Sequence, residues 1–141
     1  MTEKSSSGFY IKVVVPLPLP NLFTYSVADA LISQIEIGKR VLVQFGSQKI
    51  YAAIVLETSV AKPEDYEVKP ILSVIDEIPV VTEKQVALWQ WVHSYYLCFW
   101  GDVMQAALPA ELRLSSETKI VLNTEKETGS EYLTDDEFLV L

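Results

Sequence analysis

One cysteine, Cys98, and one histidine, His93, are all that the 141 residues contain of the two side chains most used in metal and nucleophilic chemistry. A single cysteine excludes an internal disulfide and any all-cysteine zinc cluster. A single histidine excludes histidine-rich metal sites and argues against a complete Ser-His-Asp enzyme. No apolar stretch approaches the ~18 residues needed to span a bilayer, and residues 1–7 lack the apolar segment of a signal peptide. Positive charge is also short. Eleven basic against nineteen acidic side chains give a net charge of −8, which argues against a broad electrostatic hold on nucleic acid. Phosphate loops, dinucleotide-binding turns, HExxH helices and nucleophile elbows are all missing. The expectation is a cytoplasmic, non-catalytic chain.

What is present suits a folded domain. Half the residues are hydrophobic and 21% are charged, enough apolar material for a core. The acidity is uneven: residues 1–110 hold eight basic and eleven acidic side chains, residues 111–141 three and eight. The first part therefore keeps the capacity to bind nucleic acid at a small local site.

Residues 1–8 are polar, contain three consecutive serines and read as a disordered leader. Phe9–Val15 is β-branched and aromatic, a strand. Prolines 16, 18 and 20 forbid a helix and read as a stiff corner rather than a peptide ligand. Leu22–Val27 is a second strand, with Phe23, Tyr25 and Val27 on one face. Arg40–Phe45 and Lys49–Thr58 form a hairpin across Gly46-Ser47-Gln48. Val68–Asp76 is a fifth strand, with Pro70 marking it as an edge. The adjacent Asp76 and Glu77 read as solvated turn residues.

The period then changes. Thr82 and Gln85 form a capping box, and Leu88, Trp91, Val92, Tyr95 and Phe99 fall on one helical face. Gly101-Asp102 should end that helix, followed by a short helical turn over Val103–Leu108. The fold class predicted for residues 9–110 is α+β: a small, mostly antiparallel β-barrel of five to six strands, closed at one end by one amphipathic helix. Cys98 reads as a buried thiol and His93 as a structural histidine. Residues 111–141 read as a linker and the start of a following domain. Thr118–Leu122 suggests a strand, and a second capping box at Thr134–Glu137 announces a helix that the remaining four residues are too few to complete. That pattern predicts a piece of a longer protein.

The coherent functional signal is aromatic residues interleaved with scattered bases: Phe23 and Tyr25 flank Thr24, Lys39 and Arg40 open the third strand, Gly46 and Lys49 bracket the hairpin, and Lys69 starts the fifth strand. Aromatic rings stack on bases for roughly 1–3 kcal/mol each without reading sequence. Four motifs in order carry a resemblance. These are PLPxxFTY over residues 18–25, GxRVxVxFG over 38–46, KPILxVIDxxP over 69–79, and YYxxxxGDV over 95–103 leading into Ala107–Pro109. Together they resemble the start of the primosomal protein N′ (PriA) family of bacterial replication-restart helicases.

The resemblance implies a domain that holds the 3′-hydroxyl end of the nascent leading strand at a replication fork, followed by a winged-helix domain. It also implies a parent with an ATP-dependent helicase core, magnesium and a zinc region, with primosome proteins and single-strand-binding protein as partners. No cofactor is expected in this piece. The family's terminal-nucleotide pocket is matched by Phe23 and Lys69, with Tyr25, Gly46, Arg40 and Lys49 as further candidates. Thr24 stands where the family often has an acid. It both donates and accepts hydrogen bonds but brings no charge to pair with Lys69. The alternative reading is a protein-interaction domain without nucleic-acid contact.

Overall fold

Strand β1 (Phe9–Val14) runs into a corner rather than a loop. In the computed structural model, which describes residues 8–117, the Leu17 N–H donates to the Val15 carbonyl (2.8 Å) and the Leu19 N–H to Leu17 (2.7 Å). Two successive tight turns, stiffened by the alternating prolines, reverse the chain into β2 (Phe23–Val27). The proline run is thus the corner expected of it. A short helix α1 (Asp29–Ile32), which the sequence reading passed over, leads to β3 (Arg40–Phe45) and β4 (Lys49–Thr58). The hairpin between them turns at Gly46, whose φ of +70° is comfortable only for glycine.

The strands form one antiparallel sheet in the order β2-β1-β4-β3-β5, with β5 reduced to Ser73–Val74. The two edges of this sheet are joined by the chain around β5. The Ser26 N–H donates to the Lys69 carbonyl (3.0 Å) and the Ile71 N–H to Ser26 (2.9 Å) on the β2 side. On the β3 side, Leu72 N–H donates to Leu42 (2.8 Å) and Ile75 N–H to Arg40 (3.0 Å). Residues 69–75 therefore serve both edges. Their backbone groups are shared between two partners, so only two residues form a regular strand where nine were expected.

β4 is buried on both faces, which accounts for its continuous apolar run. Ala53 and Val55 face the inside of the curl with Ile11, Val13, Tyr25, Val27, Val41 and Val43. Ile54 and Leu56 face outward and, with Val14, pack against Trp89, Val103 and Met104 of two helices. These are α2 (Glu83–Tyr96) and α3 (Trp100–Ala107). The α+β barrel-like class is as expected; the helical layer differs in detail, because two helices cover the outer face of β1 and β4. The capping box forms: the Gln85 N–H donates to Thr82 Oγ1 (3.3 Å) and the Thr82 N–H to Gln85 Oε1 (2.8 Å). Gly101 does not end the first helix but lies inside α3. A Cβ there would stand 1.5 Å from the Leu17 carbonyl oxygen, so glycine lets α3 seat against the proline corner.

The expected inward face of α2 is corrected by the structure. Trp91 is 53% exposed and Tyr95 66%, and Leu88 and Phe99 are exposed as well, whereas Trp89 is 4% exposed. The helix carries a second apolar stripe, Val86, Trp89 and Val92, and that stripe meets the sheet. Two apolar faces on one helix satisfy the same periodicity, so pattern alone could not choose between them. Trp91 and Tyr95 stack on each other at the surface (4.9 Å between ring centroids), and α2 ends at Leu97 in the left-handed conformation.

The chain after α3 returns to the sheet. Leu114 and Ser116 exchange backbone hydrogen bonds with Ala52 and Ile50, alongside the free half of β4. Residues 1–7 of the expected leader, the strand at Thr118–Leu122 and the second capping box lie outside the described residues.

Candidate nucleic-acid interface

Where the closing segment crosses the β3–β4 turn, a small hollow of about 150 Å³ opens. Its lining includes Phe23, Thr24 and Tyr25 from β2, Phe45 and Gly46 from the hairpin, and Lys69 from the closing segment. β2 delivers three consecutive residues because the hollow sits at the strand's first end. Phe23 is held edge-on against Phe45, with ring centroids 4.9 Å apart. Thr24 is 8% exposed and its N–H donates to the Tyr66 hydroxyl (3.3 Å).

Tyr25 belongs to both core and site. Its hydroxyl donates to the Gln44 carbonyl (3.0 Å), and burial first, then the nearby Tyr66 phenol, pushes its pKa up to about 12. It is a neutral donor at physiological pH. Lys69 Nζ donates to the Gly46 carbonyl (2.7 Å) and makes no ion pair among the described residues. The lysine is thus positioned without the carboxylate that Thr24 does not supply.

Five of the expected site residues, Phe23, Thr24, Tyr25, Gly46 and Lys69, converge on this hollow. Arg40 does not. Its guanidinium grips Asp76 (Nη2–Oδ1 2.6 Å, Nε–Oδ2 2.9 Å), its own N–H adds a 2.9 Å bond to Asp76 Oδ2, and Nη1 reaches the Leu112 carbonyl (3.3 Å). Burial pushes the Asp76 carboxyl up, but the bonds from the Arg40 side chain and backbone together outweigh it and hold it below the usual range. The bond to Asp76 in turn raises the Arg40 pKa against the opposing effect of burial. Asp76, expected as a solvated turn residue, is instead one half of a part-buried ion pair.

Lys49 also lies elsewhere, in an open depression with Gln48 and Ser115–Glu117. Lys39, counted among the scattered bases, is buried with its ammonium on the Gln34 carbonyl (3.1 Å). The histidine is held by structural contacts; the thiol, expected to be buried, is only half-buried, its Sγ turned toward the Val92 carbonyl (3.8 Å). His93 Nδ1 donates to the Cys98 carbonyl (2.5 Å) while its ring stacks on Trp100.

Sequence reasoning missed Tyr66 and Glu67, which line the hollow from the loop before Lys69. The available signal was an aromatic inside an otherwise acidic, Pro-containing loop.

The arrangement is an aromatic platform beside one ammonium group and a buried hydroxyl. A model of the 3′DNA-binding domain (3′BD) matches residues 12–109. The chain belongs to the PriA 3′DNA-binding domain family. Residues of the replication restart protein PriA of Haemophilus influenzae are 40% identical to this chain over 107 positions, covering 73% of it. The Bacillus subtilis PriA is 30% identical over 79% of the chain, and that of Treponema pallidum 28% over 74%. The matched regions span only 14% to 16% of those PriA proteins. The chain therefore corresponds to the 3′DNA-binding domain of that family, a small part of the length of those relatives. No described helix is long and apolar enough to cross a membrane.

Proposed function

We infer that the hollow between Phe23 and Lys69 receives the terminal nucleotide of a DNA strand and reads its free 3′-hydroxyl. The observation that carries this is the convergence of Phe23, Thr24, Gly46 and Lys69, from three separate segments, on one hollow sized for a single nucleotide's base or sugar. Phe23 offers a ring face for the base, Thr24 a hydroxyl that both accepts and donates, and Lys69 a cation for the adjoining phosphate. A nucleotide inside a strand carries a second phosphate on its 3′-oxygen. With Lys69 taken by the adjoining phosphate, that second group would have to enter beside a buried threonine and the Glu67 carboxylate, so steric exclusion and one hydrogen bond select the end. This mechanism needs no broad basic surface and is compatible with the net charge of −8.

In the longer protein the module marks the 3′ end of the nascent leading strand at forked or single-stranded DNA. The parent is an ATP-dependent helicase with magnesium and zinc, working in the cytoplasm with primosome proteins and single-strand-binding protein. The described residues take no catalytic part. A winged-helix domain follows the module. The alternative, a protein-contact role, is favoured by the exposed Trp91–Tyr95–Tyr96 cluster on α2, a helix that contributes nothing to the hollow.

Fluorescence anisotropy with two otherwise identical oligonucleotides, one ending in a 3′-hydroxyl and one in a 3′-phosphate, tests the reading. The hydroxyl end should bind at least about fivefold tighter. Equal binding overturns it.

A further inference from the structure

A second, larger hollow of about 750 Å³ adjoins the first, and Tyr66 and Glu67 line both. Its other walls are Tyr10 from β1, Ser26 from β2, and Lys62, Pro63, Glu64 and Val68 from the loop. Ser26 is the cross-strand partner of Tyr10, so the two stand side by side on the sheet. Thr24, in the terminal hollow, lies two residues before Ser26 on the same strand, about 7 Å along it and on the same face. That step matches the distance between successive nucleotides of an extended single strand. Tyr66 is fixed at the boundary because its hydroxyl accepts the Thr24 N–H.

Resting on the reading of the first hollow as the terminal-nucleotide seat, we propose that the second hollow binds the base of the penultimate nucleotide. The terminal hollow is too small for two nucleotides, whereas the second lies in the ~300–1,000 Å³ range of ligand sites. Its chemistry suits a base rather than a phosphate. Tyr10 and Tyr66 offer ring surface, and the two carboxylates, Glu64 and Glu67, outnumber the single cation of Lys62. Carboxylates repel a phosphate but accept hydrogen bonds from the amino group of a base, while Lys62 donates to a base carbonyl or ring nitrogen. Cytosine combines an amino donor with neighbouring acceptors; thymine has no amino group. The penultimate position therefore favours cytosine over thymine.

Chemical-shift titrations of the 141-residue chain test this with four ligands sharing one 3′-terminal thymidine: the 5′-mononucleotide, d(CpT), d(TpT), and a dinucleotide analogue with an abasic penultimate sugar. d(CpT) should bind about fivefold or more tighter than the mononucleotide and the abasic analogue, since stacking alone supplies that factor. Tyr10→Leu should remove most of this gain. Glu64→Gln, at an exposed position that folding does not depend on, should narrow the ratio of d(CpT) to d(TpT) affinity and leave the mononucleotide unaffected. Equal binding of d(CpT), the abasic analogue and the mononucleotide overturns the second site, as does a cytosine-to-thymine ratio unmoved by Glu64→Gln. The terminal seat is judged separately, by the 5′-mononucleotide against its 3′-deoxy form; loss of that difference would overturn the first reading instead.

Discussion

Lys69 Nζ and the Gly46 carbonyl meet at 2.7 Å, tying the segment that joins the sheet edges to the tip of the β3–β4 hairpin. Because the lysine is exposed and the bond is made to a turn carbonyl, its loss should cost function far more than stability. Lys69→Met should weaken binding of a 3′-hydroxyl oligonucleotide roughly tenfold, the worth of one charge-assisted hydrogen bond. Tm should move by no more than a degree or two. Anisotropy and thermal melting on the same sample separate the two effects.

Thr24 should account for much of the discrimination at the strand end. Thr24→Val keeps the shape and removes the hydroxyl. The unmodified chain should prefer a 3′-hydroxyl over a 3′-deoxy terminus by about 1–3 kcal/mol, and the valine variant should lose most of that margin. Competition binding with dideoxy-terminated DNA measures it.

Two tryptophans two residues apart on α2 should behave oppositely. Trp89→Ala empties a buried position and should destabilise by about 3–5 kcal/mol. Trp91→Ala trims a half-exposed ring and should cost under about 1 kcal/mol. Neither residue lines the terminal hollow, so Trp91→Ala should leave 3′-end affinity unchanged. Urea unfolding curves resolve the difference.

The Arg40–Asp76 pair should appear in the acid limb of stability. Asp76 is held below its ordinary carboxyl value, so its contribution is present above that value and is lost as pH falls through the depressed folded one. Stability should therefore drop below about pH 4. Asp76→Asn should be destabilised by roughly 1–3 kcal/mol at neutral pH, weakening the hydrogen bonds to a part-buried arginine, and should show a flatter acid limb.

At the alkaline end Tyr25 works in the other sense. Its pKa is raised to about 12, so the stability linked to its neutral form is complete below the ordinary value of 10.0 and fades as pH climbs through the interval to 12. Tyr25→Phe should remove that dependence while losing the bond to Gln44. Phenolate absorbance followed alongside circular dichroism distinguishes titration in the folded chain from unfolding.

The strands, the hairpin and the capping box were legible because each is written locally: alternating apolar residues, a glycine at a positive φ, a Thr-x-x-Gln pair. The class of the fold followed from those parts. The orientation of α2 was not legible, since Leu88–Trp91–Tyr95 and Val86–Trp89–Val92 obey one period and only the sheet decides between them. Among the expected site residues, Phe23, Thr24, Tyr25, Gly46 and Lys69, singled out by type, order and family resemblance, meet at one hollow. Arg40 lies away from the hollow, held by Asp76 36 residues on, and a charge pair at that separation leaves no trace in a local pattern. Tyr66 escaped for the opposite reason: a loop aromatic carries no periodicity, and only the folded chain brings it to Thr24.

The stretch from Lys69 to Ile75 both seals the sheet and carries the ammonium group that the hollow requires. Ligand affinity and final closure are consequently one event. Any change that loosens the seam, even one far from Phe23, therefore carries the ammonium group out of reach of the strand terminus.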